Sequence, residues 1–124
     1  MKIQPEQYAM MTIFDWVRLN KLDKIIWHTA NERRCSISYG AMLKRMGVLP
    51  GVADITISRA TNGYHGAYIE LKMGANKATP TQIEFLNTMN EEGYYTKVVY
   101  GVEQAIYAIM EYLFHQGTPS SSVS

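Results

Sequence analysis

Between Pro5 and Leu22 apolar residues recur at helical spacing, with Met10, Ile13 and Val17 in one row and Met11 and Phe14 in the row beside it. The spacing predicts a helix with one buried side. Ile25, Ile26 and Trp27 follow as a short strand-like run. Ser36 or Ser38 then offers a cap for a short helix from Tyr39 to Met46, ending at Gly47. After the turn signal Leu49-Pro50-Gly51, Val52 to Ser58 alternates strictly, with Asp54, Thr56 and Ser58 against Ile55 and Ile57, as a half-buried strand does. Asn62-Gly63 is a strong hairpin signal. Ala67 to Met73 then resumes the alternation, with Tyr68, Glu70 and Lys72 opposite Ile69 and Leu71, so two antiparallel strands are expected.

Thr79-Pro80-Thr81-Gln82 opens the next helix: Thr79 caps, proline suits the first helical position, and Gln82 completes a capping box. That helix should run to about Glu92 and stop at Gly93. Tyr94 to Tyr100 is β-branched and aromatic, a strand, and Val102 to Phe114 is a closing helix rich in Ala and Ile. The expected order is α, β, α, β, β, α, β, α around one mixed sheet, a single α/β domain over residues 1–116 with a disordered Ser-rich tail over 117–124.

This pattern has a chemical consequence. A turn centred on Asn62-Gly63 sets Asp54 across from Glu70 or Lys72, and Glu70 and Lys72, two apart on one strand, project to the same side. Two acids and a lysine converge. Mg²⁺ takes oxygen ligands and keeps several waters, so Asp54 and Glu70 with a substrate phosphate oxygen suit it, and the backbone carbonyl of Leu71 can supply another oxygen. Lys72 would orient or deprotonate an attacking water and offset charge building on the phosphorus. An isolated Glu-x-Lys is usually an ordinary solvated strand face. Here the earlier acid, the hairpin and the capped helix stand around it.

Composition narrows the alternatives. Among 124 residues, 47% are hydrophobic and 19% charged, and no apolar run approaches a membrane span. The N-terminal stretch turns amphipathic at once rather than reading as a secretory signal, so a cytoplasmic protein is expected. Cys35 is the only cysteine, which excludes an internal disulfide and a zinc site with two thiolates. His28, His65 and His115 lack the spacing of a zinc motif, and Met10, Met11, Met42, Met46, Met89 and Met110 read as core packing. Tyr64, Tyr68, Tyr94 and Tyr95 read as half-buried strand surface more readily than as base-stacking platforms. A net charge of +1 gives no global basic field, so positive charge for nucleic acid must be local. Arg33, Arg34, Lys44 and Arg45 bracket the short helix, and Lys77 lies in the Gly74 to Thr79 loop; these are the expected phosphate contacts.

The ordered series Glu6-Gln7, Trp16, His28-Thr29-Ala30-Asn31-Glu32, Gly40 to Gly47, Pro50-Gly51-Val52-Ala53-Asp54, Gly66 to Lys72, Thr79 to Gln82, and Gly93-Tyr94 ahead of Gly101 resembles the VRR-NUC (virus-type replication-repair nuclease) family of the PD-(D/E)XK superfamily, stand-alone phage and bacterial type. The likeness spans roughly Glu6 to Ala105. It implies a restriction-endonuclease-like fold with a mixed central sheet flanked by helices, and it matches Asp54, Glu70 and Lys72 to the catalytic motif. Gln82 matches a glutamine on the following helix, a role that competes with its capping box. The family's first helix contributes a polar residue, Glu6 or Gln7. Glu6 heads the row of Met10, Ile13 and Val17 and is preferred as an accessory metal or water ligand. Ala53 departs from the proline that usually precedes the aspartate.

The resemblance further implies a Mg²⁺-dependent deoxyribonuclease, with Mn²⁺ as substitute, that acts as a homodimer on four-way DNA junctions. A flap or single-stranded DNA nuclease is the enzymatic alternative. A non-catalytic DNA-binding replication module is the alternative of another class, and the intact acid, acid, lysine set argues against it, because carboxylates beside phosphate repel without a metal.

Overall fold

The computed structural model describes residues 1–30 and 36–114. The expected phosphate contacts Arg33 and Arg34, together with Asn31, Glu32, Cys35, His115 and the Ser-rich tail, lie outside the described residues. The elements are α1 (Pro5–Leu19), β1 (Ile26–His28), α2 (Ile37–Arg45), β2 (Ile55–Ile57), β3 (Ala67–Lys72), α3 (Pro80–Glu91), β4 (Tyr95–Tyr100) and α4 (Gly101–Phe114). Their order is the one that the hydrophobic pattern predicts.

The four strands form one sheet in the order β1-β2-β3-β4. The first three are mutually antiparallel, and β4 runs parallel to β3 after the α3 crossover. One face is covered by α1 and α4, which pack on each other as well. Ile13 and Val17 of α1 and Ile109 of α4 meet Ile55, Ile57, Ile69, Leu71 and Val99 there, all fully buried. The other face is covered over β3 and β4 by α3, whose Phe85 and Leu86 close on Ala53, Tyr68 and Val98. The sheet is therefore a middle layer, and β3, buried on both sides, is not the half-buried strand that its alternation suggests.

Other boundaries differ locally. α1 stops at Leu19 rather than Leu22, where Asn20 caps it and Lys21 takes a left-handed conformation at φ 59°. The ladder of β2 starts only at Ile55. Ser36, not Ser38, caps α2, its hydroxyl accepting the Tyr39 amide at 3.1 Å. α2 buries no residue. Of the methionines read as core, Met10 is buried and Met89 half-buried, whereas Met11, Met42, Met46 and Met110 are exposed.

The hairpin turn is of the mirror-image type that strand twist favours, with Asn62 at φ 54° and Gly63 at φ 85°. Thr61 and Tyr64 exchange both backbone hydrogen bonds across it, at 3.1 and 2.9 Å. α4 holds it in place: the Tyr112 hydroxyl donates to the Arg59 carbonyl at 2.6 Å, and the Asn62 amide donates to the Tyr112 carbonyl at 3.3 Å. The strand tyrosines pack on one another, Tyr64 on Tyr95 and Tyr112, and Tyr68 on Phe85 and Tyr94. Among the described residues no helix is long and apolar enough to cross a membrane.

Candidate active site

The ladder of β2 and β3 fixes which residues face each other. Ile57 pairs with Ala67, Thr56 with Tyr68 and Ile55 with Ile69, so the next step along the hairpin sets Asp54 opposite Glu70. Asp54 stands just outside the ladder, where its carboxylate takes over the ladder's role: Oδ2 accepts the backbone N–H of Leu71 at 2.9 Å. In an extended strand the N–H and C=O of one residue point to the same neighbour, so the Leu71 carbonyl also faces the Asp54 side, beyond the last rung of β2. β1 fixes the Asp54 backbone from behind. The Asp54 carbonyl accepts the Thr29 amide at 2.9 Å and the ring of His28 at 2.8 Å. A carbonyl only accepts, so Nδ1 of His28 carries the hydrogen that it donates to Asp54.

Glu70 and Asp54 are both buried, at 2% and 8% exposure. Lys72 reaches Glu70 Oε2 from the next position on the same side, Nζ to oxygen 3.5 Å. The other oxygen, Oε1, is the only buried side-chain polar atom among the described residues without a hydrogen-bond partner. Burial first, and then the charge of Asp54, push the Glu70 carboxyl up to about 8, against the opposing pull of Lys72. Burial and the neighbouring Asp54 both disfavour the ionised form of Glu70, and a bound cation would offset both. An unpartnered buried carboxylate oxygen, a second carboxylate and a carbonyl free of the ladder form an oxygen donor set that suits a hard divalent cation.

Glu6, in the first turn of α1, lies at the rim of this cluster. Its side chain is exposed rather than inward-facing, because the buried row of α1 begins only at Ala9 and Met10. Its carboxyl is nevertheless raised, first by partial burial and then by the charge of Asp54, while Lys72 and His28 lower it, so it shares the field of the site. Gln7 is otherwise engaged, its Oε1 accepting the Gln4 amide at 2.7 Å to cap α1. Of the two first-helix candidates, Glu6 is therefore the one directed to the acids. Among the described residues no three His, Cys, Asp or Glu side chains gather closely enough to hold a metal together.

Gln82 proves to be a cap. Its Oε1 accepts the Thr79 amide at 2.9 Å and its own amide donates to the Thr79 hydroxyl at 3.2 Å, which leaves only its side-chain NH₂ for any other partner. Lys44 and Arg45 sit in the last turn of α2, exposed, and Lys77 is exposed in the loop after β3. None of the three forms an ion pair with a described acid. His28 is the residue that sequence reasoning missed. Its ring contact with the Asp54 carbonyl depends on β1 pairing with β2, 26 positions apart, and the spacing of histidines carries no trace of that. An apolar groove of about 520 Å³, lined by Ile3, Met10, Met11, Phe14, Arg18 and His28, lies on the α1 side of the sheet, behind the acids rather than over them.

No family model and no curated protein matches the chain. A solved structure described as a VRR_NUC domain protein does, with a TM-score of 0.79 and 31% identity, over 91% of this chain and 91% of its own. The chain belongs to the VRR-NUC family, nucleases of the PD-(D/E)XK type.

Proposed function

We propose that the protein is a Mg²⁺-dependent, structure-selective DNA endonuclease, acting as a homodimer on branched DNA and above all on four-way junctions. The observation that carries the nuclease half is the buried pair of Asp54 and Glu70 with an unpartnered Glu70 oxygen and Lys72 alongside. Asp54, Glu70 and the Leu71 carbonyl would hold Mg²⁺, or Mn²⁺ in its place. The cation, when bound, supplies Lewis acidity toward the phosphate and lowers the pKa of its water.

The side chains then divide the work. Asp54 is oriented by the Leu71 amide and by the grip of β1 on its carbonyl, so its carboxylate does not have to reorganise during the reaction. Lys72 places its ammonium beside the acids, where it aligns a water for in-line attack and offsets the charge that develops on the phosphate. Glu6 is poised at the rim to accept a hydrogen bond from that water. Gln82 retains one free NH₂ for the scissile strand while its oxygen caps α3. Lys44, Arg45 and Lys77, which form no ion pair among the described residues, are available to the DNA backbone, so recognition would follow duplex shape more than base sequence.

The homodimer is supported by α2. Met42 and Met46, on one side of it, are 48% and 68% exposed, Ile37 on another side is 93% exposed, Val48 and Leu49 are exposed just beyond its end, and α2 buries none of its residues. Two copies joined by a two-fold axis would present two sites to two strands. The test is cleavage of an end-labelled four-way junction, a flap and an intact duplex of the same sequence, with Mg²⁺ and with EDTA. Metal-dependent, paired cuts in the junction are expected. Cutting of the flap alone would replace the substrate assignment, and binding without any cleavage would reduce the protein to a DNA-binding module.

A further inference from the structure

We infer that Trp27 is a base-stacking residue, which holds an unpaired nucleobase next to the phosphate to be cut; this rests on the nuclease reading above and deepens it to a substrate class. Trp27 pairs with Thr56, and Thr56 pairs with Tyr68. Directly paired residues project to the same side of a sheet, and so do residues two apart on one strand. Trp27 therefore stands on the face that carries Glu70 and Lys72. α3 packs on this face over β3 and β4, where Phe85 closes on Tyr68, and Trp27 stands away from that contact, on the β1 side of the sheet. The indole is left 44% exposed.

Its position relative to the acids follows from the register. Thr29 bonds the Asp54 carbonyl, and Trp27 lies two residues before it on β1, about 7 Å along the strand from the rung of Asp54 and Glu70. A phosphate held at the acids would bring the base of an adjoining nucleotide over the indole. An indole presents a flat π surface with little conformational freedom to lose, and stacking on it tolerates any base. A base inside an intact duplex has both faces covered by its neighbours. The partner of Trp27 is accordingly a base already freed from its stack, as at the crossover of a junction or the fork of a flap.

The experiment uses the full chain, with Lys72→Ala or Ca²⁺ to prevent cutting, and a four-way junction carrying 2-aminopurine at each central nucleotide in turn. One position should be quenched on binding by the parent protein. Trp27→Ala should abolish that quenching and weaken binding about tenfold, and Trp27→Phe should restore part of both. In cleavage, Trp27→Ala should raise KM by a similar factor and change kcat much less. Equal quenching by Trp27→Ala and the parent overturns the inference. So does a conversion of dimer to monomer in Trp27→Ala with the quenching retained. Failure of the nuclease reading is seen separately, as absence of cleavage by the parent protein on every DNA.

Discussion

Asp54 and Leu71 are joined by a hydrogen bond in which a carboxylate oxygen takes the amide that a continuing strand would have taken, at 2.9 Å. The acid is thus both the end of the ladder and its terminal acceptor. It is held in place by the same kind of interaction that makes the sheet, and this relationship makes substitution at Asp54 informative.

Asp54→Asn keeps an oxygen for the Leu71 amide and removes the charge. The variant should fold, bind Mg²⁺ more weakly, and lose cleavage by at least about a hundredfold to a thousandfold. Lys72→Ala should lose activity to a comparable degree with its fold intact, since the residue is only partly buried. Circular dichroism establishes the fold and gel assays the rate. Full activity in either variant would refute the site assignment.

Glu70 makes stability depend on pH in an unusual direction. Its carboxyl is raised from 4.5 to about 8 by burial and by Asp54, so in this interval the folded chain binds more protons than the unfolded one. The contribution is fully present below 4.5 and is lost as pH rises through 8. In EDTA the melting temperature should fall over this range. Saturating Mg²⁺, which needs the ionised form, should raise it most at the alkaline end. Glu70→Gln should remove most of this slope. Thermal melts at several pH values, with and without Mg²⁺, would decide; an unchanged slope in Glu70→Gln would sink the idea.

Much of this arrangement was legible in the chain, and the exceptions have physical causes. Strict alternation on either side of Asn62-Gly63 was enough to place Asp54 across from Glu70 or Lys72 but not to choose between them, because the pairing slips by one residue between Thr61–Tyr64 and Ile57–Ala67. The burial of both faces of β3 was not legible: Tyr68, Glu70 and Lys72 look solvent-facing until α3 lays Phe85 over Tyr68. The exposure of Met42 and Met46 was hidden for the opposite reason, since helical periodicity marks an apolar side but not whether anything within the chain covers it. His28 required knowledge of which strand lies beside β2.

The apolar side of α2 yields the test of assembly. Met42→Glu places a charge on that surface and should shift the proposed dimer toward monomer, with association weakened on the order of tenfold or more. The fold of each copy should survive, because α2 contributes no buried residue. Light scattering after size-exclusion chromatography over a concentration series would show it. A dimer unaltered by Met42→Glu and by Ile37→Glu would move the interface elsewhere.

Gly51 is where the segment leading to Asp54 touches α3. Its φ is 81°, and a β-carbon there would stand 2.6 Å from the Thr81 carbonyl oxygen and 2.9 Å from its carbon, both backbone. Gly51→Ala should therefore cost at least about 1 kcal/mol. It should also lower cleavage by displacing the approach to Asp54. Chemical denaturation and the junction assay measure the two effects. A variant as stable as the parent would mean that the loop yields easily.

The reversal at Asn62 and Gly63 pairs Thr61 with Tyr64, one residue out of step with Ile57 and Ala67, so the arm from Ser58 to Ala60 carries one residue more than the arm facing it, and this offset sets the register that brings Asp54 opposite Glu70. Its length acts as a ruler. Adding or removing one residue between Ser58 and Gly66, with Ile69 and Leu71 kept in the core, would shift Asp54 by one place and turn its side chain away from Glu70.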